Sequence, residues 1–385
     1  MKSQSIPISK ILKNYNLCEY CTGRLISKLV GKPSSKLLGK KYLINYGKLS
    51  NGKLSNGKCF ICKNIFENFG MMLSDIYEKS NNVDFKTFNL GIILKNSYLE
   101  RDDYVKSKFK LKGIENIKFG ISTEIAKKIS RRKKSTRVVN EPDLFIQVNF
   151  KDESCTIRTK PIFVYGRYNK KIRKIPQKQS SCEKCNGIGC HNCNFKGLET
   201  LESVESKISN FLIKKFDANQ VKINWIGGED QSSLVLGDGR PFFAKILNPK
   251  RRNKTLRKSL KLEGVSLSEL KKIPIPPKGS ISFKSKVSII VDTEKPLSIT
   301  QLKKLDVLKN SQILDTTKNK RNNQKQIYKI SYKKLGRTSF LLDLLLDGGI
   351  PIKSFIQTSE TNPNVSELLE NQCKCKSLDF KNIII

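Results

Sequence analysis

Eight of the eleven cysteines fall in four Cys-x-x-Cys pairs: Cys18/Cys21, Cys59/Cys62, Cys182/Cys185 and Cys190/Cys193. Two thiolates at that spacing grip one ion from a tight turn, and two such pairs complete a tetrahedral zinc site. The pattern constrains the fold directly. Residues near 18 must return to residues near 59, and the segment 182–193 must close on itself. Structural zinc is expected, one ion or two in all. The segment before Asn16 lacks the apolar stretch of a signal peptide, so the thiols are expected in a reducing cytoplasm, where metal binding outcompetes disulfides. No βαβ pattern surrounds the pairs, which argues against a thioredoxin-type redox centre. The one histidine, His191, sits inside the second cluster. Four thiolates already fill a tetrahedron, so it is read as a bystander, and any Ser-His-Asp chemistry would have to use it.

Charge narrows the partner. The 385-residue chain carries 74 Lys+Arg against 34 Asp+Glu, a formal net charge of +40. Such an excess repels itself unless an anion is present, and nucleic acid is the natural one, because each neutralised phosphate releases counterions. A Lys-, Asn- and Ile-rich composition explains a choice of Lys over Arg but not the scarcity of acids. No run approaches the ~18 apolar residues of a membrane span. The most apolar stretch, Phe340–Leu346, is interrupted by Asp343.

Four regions follow along the chain. Residues 1–64 are read as a zinc-binding segment. Between its cysteine pairs, the tandem from Gly47 to Lys58 repeats Gly-Lys-Leu-Ser-Asn and reads as an exposed insertion with tight Asn-Gly turns. Residues 65–175 are read as a compact α/β unit. In it Phe119, Ile121, Ile125 and Ile129 mark one helix face, with Ser122 as N-cap and Arg131–Lys134 at the basic end. Leu144, Ile146, Val148 and Phe150 alternate as a half-buried strand, with Ile157–Tyr165 beside it. Residues 176–200 are a Cys-rich connector, and 201–385 the last domain. Its strands are expected at Val221–Ile226, Ser233–Leu236 and Phe242–Leu247, with a turn at Gly237–Gly239 and surface loops at 273–277 and 315–326.

Within that domain Gly227-Gly228-Glu229-Asp230 follows one apolar strand and precedes another. A short carboxylate in a glycine-flanked turn projects into a cleft. In so basic a protein, an acid facing RNA is repelled by phosphate and needs a reason to be there. Arg240, with Lys250 and Arg251 in the run Lys250–Arg252, is close in sequence and is expected to grip backbone phosphates near that acid.

Several strings in order now carry a resemblance: Leu17–Arg24 with its Cys-x-x-Cys-Thr-Gly-Arg, Cys59–Cys62, Tyr165-Gly-Arg-Tyr168, Ile175-Pro-Gln177, the Cys182–Cys193 knuckle, Gly227–Asp230, Gly239–Phe242 and Thr361–Leu368. Over nearly its whole length the chain resembles the archaeal and eukaryotic tRNA pseudouridine synthases that carry an N-terminal zinc–THUMP region. The resemblance implies an α+β protein: a zinc-binding, THUMP-like α/β domain that grips tRNA, and a C-terminal mixed-sheet catalytic domain. It implies an enzyme with no catalytic cofactor, converting uridine 54, uridine 55 or both in the T arm to pseudouridine; separately, nothing in the sequence suggests an obligate dimer, so a monomer is expected. Asp230 falls on the family's essential aspartate and Lys353 on its late basic residue, which would keep that carboxylate ionised.

The chain also departs from the family pattern. Gly228 stands where the family has arginine. Lys286, in Lys284-Ser285-Lys286, stands where a tyrosine lies against the target uracil, and Pro351 where a later tyrosine falls. Phe283, Tyr328 and Tyr332 are the aromatic residues placed to compensate. These departures raise an alternative, a tRNA-binding and folding protein with weakened catalysis. A methyltransferase or thiolase on a THUMP domain is disfavoured, since 201–385 has no Gly-rich nucleotide loop.

Overall fold

The computed structural model describes residues 8–50, 53–54, 57–195, 197–198, 202–315, 324–358 and 360–385. It divides into two compact units, residues up to 160 with 250–252, and residues 161–249 with 253–385. The architecture is α+β in both. Among the described residues no helix is long and apolar enough to cross a membrane.

In the first unit, helices Ile8–Asn14, Glu19–Ile26 and Lys36–Asn45 precede a helix at Gly70–Lys79 and a four-stranded sheet. The sheet order is Thr136–Arg137, Thr87–Ile93, Leu144–Asn149, Ser154–Thr159. The first three strands are parallel and the last is antiparallel. Helices Asn96–Lys108 and Ile117–Lys133 make the crossover from Thr87–Ile93. Leu144, Ile146 and Val148 point into the core, as their alternation predicts. The expected Ile157–Tyr165 strand is instead two strands broken at Pro161, which has no N–H to give a ladder. Ile121, Ile125 and Ile129 are buried as expected, but Phe119 is exposed and Ile117 takes its place on that face; the N-cap is Asn116, which accepts from Phe119 N–H at 2.7 Å. Ser122 lies inside the helix and accepts a bond from Arg137 instead. In the tandem, Leu49–Ser50 pairs with Lys53–Leu54, and positions 51–52 and 55–56 lie outside the described residues.

The second unit is built on a mixed sheet, eleven-stranded among the described residues. Its central path runs Val265–Ile273, Ile162–Lys170, Leu234–Leu247, Cys373–Ile384, Lys284–Thr293, Ser339–Asp347, Gln324–Lys334. Its pairings are antiparallel except one. Leu234–Leu247 and Cys373–Ile384 run parallel for a short stretch, Asp379 opposite Leu234 and Phe380 opposite Val235. Two antiparallel halves thus meet at a short parallel seam, and the Gly227–Asp230 loop enters at that seam. Ser233–Leu236 and Phe242–Leu247 are one continuous strand; the expected Gly237–Gly239 turn is an excursion within it, opposite Asn169, where both glycines take positive φ. Ser339–Asp347 alternates strictly: Phe340, Leu342, Leu344 and Leu346 enter the core, and Asp343 takes the other face. Of the expected loop 315–326, residues 316–323 lie outside the described set, and Gln324 onward is strand.

Candidate active site

Asp230 sits at the wall of an open cleft of about 420 Å³, lined by Gly228, Glu229, Ile350, Pro351, Lys353 and Phe380 among others. Lys353 Nζ donates to Asp230 Oδ2 at 2.8 Å, across 123 positions of sequence. The other oxygen, Oδ1, accepts from the Ser232 backbone N–H at 2.8 Å and the Ser232 hydroxyl at 2.6 Å. Lys353 and Ser232 together hold the carboxyl down at about 2. Asp230 remains 38% exposed, so the charge is both stabilised and reachable. Larger space exists elsewhere, about 740 Å³ in the first unit among Lys63, Met71, Tyr98 and Phe150. Size does not choose the site; an ionised carboxylate fixed by a cation on an open wall does.

The loop is held from beneath. Even-numbered residues of Ile162–Lys170 face the core, which carries Tyr168 and Lys170 under the loop. Lys170 Nζ lies 3.2 Å from Glu229 Oε1 and Arg240 Nε lies 3.8 Å from Glu229 Oε2, all three side chains essentially buried. Burial pushes the Glu229 carboxyl up, against the opposing pull of Lys170 and Arg240. Lys170 also donates to the Ile175 carbonyl at 2.8 Å and the Asp230 carbonyl at 3.3 Å. Gln177 Nε2 donates to the Tyr168 hydroxyl at 3.0 Å and the Gly227 carbonyl at 3.3 Å, while its Oε1 accepts from Glu229 N–H at 3.3 Å. Arg173 forks onto Asp379 at 2.7 and 2.9 Å and donates to the Ser232 carbonyl at 2.6 Å. The strings around Tyr168 and Gln177 are therefore the underframe of the Asp230 loop, a role that sequence reading did not assign.

Other expected residues fall elsewhere. Pro351 lines the cleft and caps the helix Ile352–Gln357 that carries Lys353. Arg240 is fully buried, donating to the Ile226 carbonyl at 2.9 Å and lying over the Phe380 ring, so its guanidinium faces the core rather than a phosphate. Lys250 and Arg251 are exposed but group with the first unit, where their neighbour Arg252 pairs with Asp143 at 3.6 Å. Lys286 is exposed on its strand, opposite Leu345 and Asn382, and is not among the described cleft-lining residues. Tyr328 is bound to Asp347 and Tyr332 to Asp306. A Cβ built on Gly228 would meet only Gln177 Oε1, at 3.9 Å, so the backbone there does not itself require glycine.

The cysteines assemble as two sets of four, Cys18/Cys21/Cys59/Cys62 and Cys182/Cys185/Cys190/Cys193, with the sulfurs of each set within 4.8 Å of one another. A tetrahedral metal with sulfur ligands at ~2.3 Å has S–S edges of about 3.8 Å. The observed contacts of 3.5 Å in the first set and 3.8–3.9 Å in the second fit a metal ion. In the second set the Cys190 and Gly197 amides donate to Cys193 Sγ at 3.1 and 3.2 Å, bringing that thiol down to about 6. In the first, hydrogen bonds from Cys18, Cys21 and Cys62 hold the Cys59 thiol low. Cys155 and Cys373 stand apart, buried, with thiols pushed up to about 11 by burial.

A family model described as Pus10, C-terminal, matches residues 163–383, which is the unit built around the cleft. A second, described as the archaeal Pus10 THUMP domain, matches residues 73–149. The chain belongs to the Pus10 family. A protein of Nitrosopumilus maritimus named tRNA pseudouridine synthase Pus10 is 40% identical over 98% of this chain and 97% of its own. A relative of the same name from Cenarchaeum symbiosum is 31% identical over 97% of this chain and 91% of its own. Among solved structures, an H/ACA RNP bound to a substrate RNA containing 2′-deoxyuridine aligns with a TM-score of 0.29 and 8% identity, over 56% of this chain and 47% of that one, a likeness too slight to carry an argument. Membership of the Pus10 family makes the chain an RNA pseudouridine synthase by class, and the Asp230 cleft lies inside the matched C-terminal region.

Proposed function

We propose that this chain isomerises uridine 54, uridine 55 or both in the T arm of tRNA to pseudouridine, with Asp230 as nucleophile and Lys353 as its ion-pair partner. The observation that carries the reading is the 2.8 Å contact between those two side chains on the wall of an open cleft. The target nucleotide flips out of the arm into the cleft. The Asp230 carboxylate attacks the nucleotide at the ribose C1′ or the uracil C6. The N1–C1′ bond breaks, the base rotates, C5 bonds to C1′, the bond to Asp230 breaks to return the free carboxylate, and the proton on C5 leaves as N1 gains one, so the product is an isomer. At neutral pH a carboxylate of ordinary pKa, ~3.9, is already ionised in water. Lys353 matters once RNA covers the cleft, because desolvation then pushes the carboxyl up and the cation opposes it.

The first unit would hold the tRNA body, consistent with the net charge of +40. Each cysteine set would hold one zinc ion. Zinc supplies no chemistry to the isomerisation; it would tie Glu19–Ile26 to the Cys59 loop and close the 182–193 knuckle, because metal binding is folding free energy. The protein would act as a monomer in the cytoplasm. Native mass spectrometry should find two zinc ions per chain, and a metal-free folded chain would refute both sites.

One observation favours a second reading, a tRNA-binding folding aid with weak catalysis. The described cleft-lining residues include no tyrosine, and the one aromatic among them, Phe380, is buried with the Arg240 guanidinium over its ring. Loss of an aromatic platform costs roughly 1–3 kcal/mol of stacking per base. Incubation with an unmodified tRNA transcript, followed by carbodiimide primer extension, separates the two. Pseudouridine in the T arm supports the enzyme, and unchanged uridines on bound tRNA support the binder.

A further inference from the structure

The two halves of the proposed centre arrive on separate loops, Asp230 just after Gly227 and Lys353 just after Gly348 and Gly349. One side chain touches both loops at their roots. A Cβ built on Gly348 would lie 2.3–2.5 Å from three atoms of the Phe283 ring, and one built on Gly227 would lie 2.5 Å from the ring's Cζ. Real Cβ atoms do not approach so closely, so the half-buried ring occupies the space that both glycines leave. The backbone adds a fixed point: Gly348 N–H donates to the Phe283 carbonyl at 2.7 Å. Behind Gly227, Arg240 Nη1 lies 2.7 Å from the same built Cβ, so the glycine is held between the ring and a buried guanidinium. Phe283 begins the run that enters the Lys284–Thr293 strand, a central member of the sheet, and is anchored by it.

We propose that Phe283 is a positioning residue for the Asp230–Lys353 pair. Its ring, wedged between Gly227 and Gly348, sets the distance between the loop that carries the carboxylate and the loop that carries the ammonium. In this it differs from a base-stacking aromatic, because its contacts are to the two loop roots and it is not among the residues that line the cleft. The glycines are explained by the same packing. Gly227 takes φ +72°, but Gly348 has no such conformational demand, so at Gly348 the ring itself is the reason for the missing side chain. The inference rests on the reading of Asp230 as nucleophile, and its test has one arm that does not depend on catalysis.

The test is a cycle of Phe283→Ala, Gly348→Ala and the double variant, with Phe283→Leu as an apolar control of intermediate volume that keeps the fold if Phe283→Ala does not. The first readout is the single-turnover rate of pseudouridine formation at saturating tRNA transcript, with tRNA affinity measured by filter binding. Misplacement of reacting groups by about 1 Å costs on the order of 10²-fold. Phe283→Ala and Gly348→Ala should each slow turnover by roughly 10- to 100-fold, with affinity changed by less than about threefold. The double variant should be no slower than Phe283→Ala, because the added methyl then has no ring to strike and coupled sites do not add. The second readout is carboxyl carbon NMR of Asp230, assigned by its loss in Asp230→Asn. The titrating and charged groups around it are Lys353 at 2.8 Å, the adjoining Glu229, Lys170 at its carbonyl and the Cys375 thiol. A loosened pair should titrate higher than the wild-type value of about 2. Phe283→Leu should lie between wild type and Phe283→Ala in both readouts. Losses that multiply in the double variant, or an Asp230 titration unmoved by Phe283→Ala, would overturn the proposal. A wild-type chain that makes no pseudouridine would sink the catalytic reading alone, and the titration would then decide the role of the ring by itself.

Discussion

The two faces of the Gly227–Asp230 loop carry adjacent carboxylates held by opposite means. On the open face, Asp230 is kept ionised by Lys353 and Ser232, 38% exposed and with its carboxyl at about 2. On the underside, Glu229 is buried, its carboxyl pushed up by burial, with Lys170 and Arg240 pressed against it. As the proposed nucleophile, Asp230 must be reached by substrate and cannot be rigidified by packing around itself. The rigidity is supplied one residue away, where water is excluded and charges interact strongly. Chemistry occupies one face and stiffness the other.

The contrast can be broken from the open face first. Asp230→Asn should abolish pseudouridine formation, by at least ~10⁴-fold as expected for loss of a nucleophile. Transcript binding and the denaturation midpoint should hardly move. Product at the wild-type level would show that the acid facing the cleft is not the reacting group. From the underside, Glu229→Gln leaves Lys170 and Arg240 buried without a counter-charge, and removal of one partner from a buried pair costs about 3–5 kcal/mol. Urea unfolding at neutral pH measures it. A variant more stable than wild type would mean that burial outweighs the pairing, and the underframe argument would fail.

Lys353→Met sharpens the comparison at smaller amplitude. Turnover should fall roughly 10- to 100-fold through misplacement of Asp230, with Lys353→Arg recovering part of it. A rate unchanged by Lys353→Met would leave the ion pair without a role. The smallest effect lies in acid. The folded-state value of about 2 for Asp230 is depressed from 3.8, so the stability it contributes is present above about pH 4 and lost as pH falls toward 2. Exposure screens the pair, so the effect is slight. The stability difference between wild type and Lys353→Met should narrow from pH 5 to pH 2.5 in urea titrations. A constant difference would remove the electrostatic account of Lys353.

Much of this site was legible in the chain. Asp230 and Lys353 were named from motif order, and they meet at 2.8 Å. The cysteines group into the two sets that the local Cys-x-x-Cys spacing suggests, the second within a dozen residues and the first across some forty. The underframe was missed, although one signal existed. Ile162, Val164, Gly166, Tyr168 and Lys170 share a parity in one strand, so the alternation that buries Val164 also buries Lys170. Lys171, the next residue, is exposed. As letters the two lysines are alike, and only their place, the last inward position of the strand or just past its end, separates them. Arg240 was misjudged for the same reason: a basic residue beside a glycine turn looked like a phosphate contact, whereas its place opposite Tyr168 turns it inward.

By itself the sequence determined what local chemistry can encode: thiol pairs, strand periodicity, the charge that calls for an anionic partner, and the order of motifs that identifies the family. The tertiary structure decided which distant groups meet. Asp230 and Lys353 are joined because a parallel seam brings Leu234–Leu247 beside Cys373–Ile384, and Phe283 reaches two glycines because its strand lies beside Ser339–Asp347. Side-chain contacts between residues more than fifty positions apart depend on register and on the volume left by glycine, and neither is a property of any single stretch of chain.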